Sequence, residues 1–406
     1  MARLITGLDI GTASIKVAVA EVGKEEKPKL IFLSKQISAG MRKGTVVQFD
    51  EVEKCVSAAL LKVKGAAKGA LKNIFLNVGG TKSRTQVSRG AVVVSRADSE
   101  IYQDDIERAI KTSKDSIVSH NRTIIHTITR NFIVDGMPNI EDPIGLSGNR
   151  LEVESYIIDS LAQDLRSLGK VTDKAGGVVG GLVYNPVATS RSVLNKNQKD
   201  LGVVMIDIGF GTTGVAVFEE GKMLHSAVLP VGSANITNDL AIGLKVPIEA
   251  AEAMKISSGY AISKDISIKE KLDLKKFDAG SSGTVTKKFF SEIIEVRLAE
   301  IFELVNNELK AIGKEKNLPA GVILSGGGSK MPGIVELAKR ELRLPVQLGT
   351  LTPEAVSFAN KEIEEKVEDP EYITSLGLVL QGYDDMMEQK PRVGNAFSRI
   401  LNYFLP

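Results

Sequence analysis

The sequence predicts an α/β protein made of two similar halves that face each other across a cleft. Three observations predict it. Residues 203–219, VVMIDIGFGTTGVAVFE, read as an apolar strand, a glycine-and-hydroxyl turn and a second apolar strand, with Asp207 at the exit of the first. Residues 8–21, LDIGTASIKVAVAE, align on 206–219, IDIGFGTTGVAVFE, without a gap, and seven of the fourteen positions are identical. A third apolar strand, 321–324, runs into Ser325-Gly326-Gly327-Gly328-Ser329 ahead of a helix opened by Pro332. Glycines at that place let a backbone approach a ligand closely.

The repeated turn carries its own chemistry. Gly209, Gly211 and Gly214 free the backbone to bend and expose its N–H groups, and Thr212 and Thr213 add hydroxyl donors. Such a nest suits phosphate oxygens, and the aspartate beside it suits a hydrated magnesium ion. Two copies in facing halves can grip one polyphosphate from both sides, each with an aspartate near the metal.

Composition limits the alternatives. At 406 residues the chain is too long for one core and fits several subdomains. Formal charge is +2, from 52 basic and 50 acidic residues, so no polyanion is implied as partner. There is no C-x-x-C and no aromatic-and-basic block, so no nucleic acid is expected. The one cysteine, Cys55, excludes an intrachain disulfide and falls in a helical pattern with Val52, Val56, Ala59 and Leu60, which reads as packing. No apolar run reaches membrane-spanning length, and Asp9 interrupts any signal-peptide core, so the bulk of the chain is expected to be soluble and cytoplasmic.

In chain order, 4–34 reads as strand, phosphate turn, strand, charged loop and strand; a helix follows at 49–63 and a buried strand at 74–81. From 83 to 150 the pattern changes to strands at 91–94 and 124–134 around an amphipathic helix at 104–116, which reads as an inserted α/β subdomain. The host sheet is expected to resume at 151–158, followed by a helix at 160–168, a strand at 178–184 and a helix 187–194 opened by Pro186. The first subdomain is thus 1–82 with 151–200, closed by 373–382. The second half divides into a nucleotide subdomain, 201–235 with 303–372, and an outer subdomain, 236–302. Its lysine-rich stretch 258–288 is ambiguous, and a long helix covers 291–309.

This combination resembles the actin-like (ribonuclease H-like) ATPase superfamily. The first phosphate turn at 9–16, a connecting strand and helix near 181–190, the second turn at 207–213, an adenosine loop at 326–329 and a second connecting segment at 373–382 stand in the superfamily order. Within it the chain is most similar to the FtsA family of bacterial cell-division proteins. The segment HTITRNFIVDGMPNIEDPIGLSGNRLEVE at 126–154 looks like that family's inserted subdomain, and AEAMKISSG at 251–259 like its ribose and adenine contact helix.

The resemblance implies ATP and magnesium as ligands. Asp9 and Asp207 would hold the metal through water. Gly11, Thr12, Ser14 and Lys16 would contact the phosphates from one side, and Gly209, Gly211, Thr212 and Thr213 from the other. Glu252 and Lys255 would reach ribose and adenine, and Gly326, Gly327, Gly328 and Ser329 would flank the base and α-phosphate. Phe210 and Gly214 depart from the superfamily pattern, and Asn185 stands where chaperone relatives place a glutamate. An amide can orient a water but cannot take its proton, so at most weak hydrolysis is expected, with nucleotide acting as a clamp.

The family also implies partners: filaments of the chain itself, other division proteins, and the FtsZ C-terminal tail on the outer subdomain, with Lys287, Lys288 and Arg297 as candidate contacts. After a polar linker at 383–393, apolar residues Phe397, Ile400, Leu401, Phe404 and Leu405 fall on one helical face. Such a helix can lie in a bilayer interface but is too short to cross it, which implies a peripheral protein on the cytoplasmic face of the cell membrane at the division site. Two other readings use the same fold: a PilM-like pilus-assembly adaptor, and a sugar kinase, which needs a carboxylate base that Asn185 does not supply.

Overall fold

The computed structural model describes residues 3–23, 27–117, 119–352 and 354–387. Two sheets built to one plan form the frame. The first has the order Val179–Tyr184, Ile74–Val78, Arg3–Ile10, Ser14–Val22, Lys29–Ile37, with Ser357–Phe358 added at the far edge. The second has the order Val346–Leu348, Val322–Ser325, Val203–Ile208, Thr213–Glu219, Lys222–Leu229. In each, the strand that ends in an aspartate pairs antiparallel with the strand after the turn and parallel with a later, wholly buried strand. The register repeats as well: Asp9 lies opposite Lys16, and Asp207 opposite Gly214. The duplication legible over fourteen residues therefore extends through five strands of each sheet.

These strands carry Val, Ile, Leu and Ala on both faces because helices cover both sides. On the first sheet, Phe49–Ala66 and Ala162–Lys174 pack Val52, Val56, Leu60, Val63, Leu165 and Leu168 into one core. On the second, the 25-residue helix Lys287–Ala311 contributes Phe290, Ile294, Leu298, Ile301 and Phe302. Between the halves run the helices Asn185–Val193 and Ile373–Met387, whose residues share a core with both sheets.

The inserted unit is a third sheet, ordered Arg84–Val93, Arg150–Leu161, Arg122–Val134, Met137–Ile140, with helix Gln103–Asp115 against it. This corrects one expectation. The strand read at 151–158 does not rejoin the host sheet; it is the central strand of the insert, paired along its length with Arg84–Val93 and Arg122–Val134. Its apolar run, YIID after LEVE, looked like a buried host strand because the insert packs against the body of the protein there, leaving Tyr156, Ile157 and Ile158 buried.

Two further readings change. The ambiguous stretch 258–288 holds only a short hairpin, Lys271–Asp273 with Thr284–Thr286, and single turns of 3-10 helix. Residues 383–387, expected to open the linker, belong instead to the last helix, where Arg191 clamps Asp384 with two hydrogen bonds of 2.6 and 3.0 Å. The charged loop at 24–29 lies partly, and the tail residues Phe397, Ile400, Leu401, Phe404 and Leu405 wholly, outside the described residues. Among the described residues no helix is long and apolar enough to cross a membrane.

Candidate functional site

The two turns are closed in the same way. Gly11 N–H donates to Ser14 O at 3.2 Å, and its counterpart Gly209 N–H donates to Thr212 O at 2.9 Å. They also meet: a Cβ on Gly211 would stand 3.0 Å from Thr12 Oγ1 in the opposite half. Around this meeting point lies a cavity of about 610 Å³, within the usual range for a small-molecule site.

Most of the residues singled out from the sequence line it. Asp9, Gly11, Thr12, Ser14 and Lys16 come from the first turn, and Asp207, Gly209, Gly211 and Thr212 from the second. Glu252 and Lys255 on helix Ile248–Ser258, Gly326, Gly327 and Gly328 on the third loop, and Asn185 at the start of its helix complete the set. Thr213 and Ser329 do not line it. The buried Thr213 hydroxyl donates to Val231 O at 2.9 Å and so ties the second turn to the segment after Lys222–Leu229, and the buried Ser329 hydroxyl donates to Gly326 O at 2.7 Å and so holds its own loop in shape.

Burial governs the charges of the two aspartates. Burial raises the Asp9 carboxyl above its usual range although Lys16 Nζ stands 3.4 Å away. Asp207 is pushed up to about 6, first by burial and then by the charge of Asp9. Burial raises both carboxylates and the charge of Asp9 adds to the rise at Asp207; a divalent cation beside such a pair would relieve it. Asp207 Oδ2 is held in place by the hydroxyls of Thr189 at 3.2 Å and Thr374 at 3.5 Å, one from each connecting helix. Asn185 Oδ1 is buried with no partner at the cavity wall, a free acceptor for a water or ligand hydroxyl.

Several cavity residues were not singled out beforehand. Asn77 fixes the first turn by accepting the Ile10 N–H at 2.7 Å; its one signal is a polar residue within the apolar strand Ile74–Val78. Thr374 likewise is polar on an apolar helix. Lys35, Lys330 and Glu371 form a charge cluster at the rim, with Glu371 2.6 Å from Lys35 and 3.2 Å from Lys330. Nothing in the local sequence links those three.

Outside the cavity lining, two of the three candidate partner residues are already engaged. Arg297 grips Asp239 through two bonds of 2.5 and 3.0 Å, and Lys287 lies 3.3 Å from Glu270. Lys288 is half-buried beside them.

Comparison with known proteins decides the family. The family model for Cell division protein FtsA matches residues 204–377, and that for the SHS2 domain inserted in FtsA matches residues 80–159. Cell division protein FtsA of Pseudomonas aeruginosa is 30% identical over 94% of this chain and 89% of its own length. The chain belongs to the FtsA family.

The FtsA protein of Bacillus subtilis is 33% identical, covering 93% of this chain and 83% of its own length. The match to the FtsA insert agrees with the sheet formed by Arg84–Val93, Arg122–Val134 and Arg150–Leu161, and so with the strand reassigned above. Among solved structures, the PilM–PilN type IV pilus biogenesis complex superimposes with a TM-score of 0.65 at 18% identity, over 93% of this chain and 98% of that one. MreB5 of Spiroplasma citri bound to ADP gives 0.52 at 12% identity, over 95% and 96%. The fold is that of the actin-like ATPases, carrying the FtsA insert.

Proposed function

We propose that this cell-division protein binds ATP and magnesium in the cavity between its halves, polymerises on the cytoplasmic membrane and tethers FtsZ filaments there, recruiting the rest of the division machinery. The observation that carries the nucleotide part is the meeting of the two like-closed turns at Gly211 and Thr12, beside two buried carboxylates, Asp9 and Asp207, that are both raised.

In this reading Asp9 and Asp207 hold magnesium through water. The hydroxyls of Thr12, Ser14 and Thr212, the Gly211 N–H and the Lys16 ammonium take the phosphates, while Gly11 and Gly209, whose N–H groups close their own turns, let the phosphates approach the backbone closely. The metal supplies charge neutralisation, and Lys16 is then free to turn from Asp9 to the phosphate chain. Gly326, Gly327 and Gly328 take the nucleoside side, and Glu252 its sugar. Asn185 orients a water without deprotonating it, which makes hydrolysis slow. The nucleotide then acts as a clamp that favours the closed arrangement of the halves.

The apolar tail residues at 397–405, whose spacing in the sequence is that of one helical face, attach the protein reversibly to lipid, and linked copies in a filament make that attachment stable through avidity. The FtsZ tail docks on the outer subdomain, with Lys288 as the first candidate contact, since Lys287 and Arg297 would have to leave their own carboxylates.

Electron microscopy on lipid monolayers tests the whole reading. Full-length protein with ATP and magnesium should form filaments on the lipid, and a chain ending at Met387 should not bind the monolayer. Equal binding by the two would remove the tail from the mechanism, and filaments formed equally without nucleotide would remove the clamp.

A further inference from the structure

A bridge of charged side chains crosses the rim of the cavity, with Glu371 at its centre. Glu371 Oε2 lies 2.6 Å from Lys35 Nζ, and Glu371 Oε1 accepts from Lys330 Nζ at 3.2 Å. Lys330 Nζ also donates to Asp369 Oδ2 at 3.0 Å. Asp369 is itself fixed, because its Oδ1 accepts the Glu371 N–H at 3.1 Å.

The members come from different parts of the frame. Lys35 sits on Lys29–Ile37 of the first sheet, directly opposite Lys16. Lys330 ends the loop that follows Val322–Ser325 of the second sheet. Glu371 lies in the single turn Pro370–Tyr372, which leads into the connecting helix Ile373–Met387. Its side chain runs along Gly327, where a Cβ would stand 3.4 Å from Glu371 Cγ. If the halves part, the turn can follow only one of them, so Glu371 must leave a lysine of the other.

An isolated exposed ion pair holds little. Here one carboxylate, its side chain 17% exposed, receives an ammonium from each half on separate oxygens. Burial works against the Glu371 charge, yet Lys35, with Lys16 and Lys330 beyond it, keeps its carboxyl below the usual range. The bridge is also independent of the phosphate site. Lys16 has its own carboxylate in Asp9, so it can turn to a ligand while Lys35 stays on Glu371.

We infer that Glu371 is a latch across the rim of the cavity: joined to Lys35 of the first half and Lys330 of the second, it sets how fast a nucleotide enters and leaves. The inference rests on the nucleotide reading given above and adds to it the control of exchange. A latch that closes with or without ligand slows passage in both directions. Its loss therefore speeds association and dissociation alike and leaves their ratio, the affinity, nearly unchanged.

The test follows binding and release of a radiolabelled, non-hydrolysable imido analogue of ATP, with magnesium, by the full-length chain. Glu371→Gln should raise both rate constants about threefold to tenfold while Kd stays within about twofold. Lys35→Gln should act in the same direction, and adding it to Glu371→Gln should change little more, since the two share one bond. The gap between wild type and Glu371→Gln should narrow as salt rises from about 50 to about 500 mM. Lys366→Gln, which breaks an exposed pair with Glu362 on helix Lys361–Val367, should alter neither rate. Rates equal to wild type in Glu371→Gln, or in Lys35→Gln should the first variant not fold, overturn the latch. So does a rise in dissociation alone with Kd weakened in proportion, which would make Glu371 a ligand contact, and so does a gap indifferent to salt. Failure of the wild type to bind the analogue at all overturns the nucleotide reading itself, which the other outcomes leave standing.

Discussion

Gly377 and Ala188 bring the two connecting helices into backbone contact: a Cβ placed on Gly377 would stand 1.8 Å from the Ala188 carbonyl oxygen. That crossing lies where Asn185–Val193 and Ile373–Met387 pass between the halves, and each helix sends one threonine to Asp207. The joint between halves and the carboxylate in the cleft are thus one packed unit.

The first consequence is steric. Gly377→Ala must force the helices apart against a backbone atom that cannot rotate away. The variant should lose about 1–3 kcal/mol or more of stability, read as a lower midpoint in thermal or urea unfolding. A melting curve equal to wild type would mean that the crossing is looser than described.

The cleft carboxylates should act against stability. Asp207 has a folded pKa of about 6, above its usual 3.8, so at neutral pH its charge opposes folding; the cost is complete above about 6 and gone below about 4. Asp207→Asn should therefore stabilise the unliganded protein by about 3 kcal/mol at pH 7. The same variant should lose the part of ATP affinity that chelation of magnesium removes from the wild type. Destabilisation, or an affinity still sensitive to the chelator, would contradict the metal assignment.

His126 provides a pH signature of the opposite sign. Its Nε2 accepts the Tyr184 N–H at 3.0 Å, so the proton sits on Nδ1, and burial lowers its pKa from 6.5 to about 4. The folded state binds fewer protons than the unfolded chain. The stability this gives is complete above about 6.5 and is lost as pH falls toward 4, in total about 3 kcal/mol. Unfolding measured from pH 4 to 7 should show a shallower dependence in His126→Gln than in wild type, by about that amount. Parallel curves would show that the ring does not titrate with folding.

The insert is tied to the second sheet as well as the first. The buried Tyr156 hydroxyl accepts the Ser226 N–H at 2.7 Å, and Thr85 Oγ1 donates to Ser226 O at 2.8 Å. Tyr156→Phe leaves that N–H without an acceptor and should cost about 1–3 kcal/mol. Hydrogen exchange should quicken at Ser226 and its neighbours on Lys222–Leu229, with strand Thr213–Glu219 little changed. Unaltered exchange at Ser226 would mean that water or another group replaces the hydroxyl.

By itself the sequence determined the elements whose physics is local. Apolar runs ending in Asp9 and Asp207, glycine-bearing turns, and the pattern of the long second-half helix are set by neighbours a few residues apart, and an ungapped repeat carries its meaning without coordinates. Only the tertiary structure decided what depends on distant chain. It gave the strand Arg150–Leu161 to the insert because its partners lie about 30 and 70 residues away. It tied the Thr213 hydroxyl to Val231, brought Thr189 and Thr374 to Asp207, and placed Lys35, Lys330 and Glu371 together at one rim. A side chain's residue type fixes what it can donate or accept; which partner takes it is settled by the fold that brings them within reach.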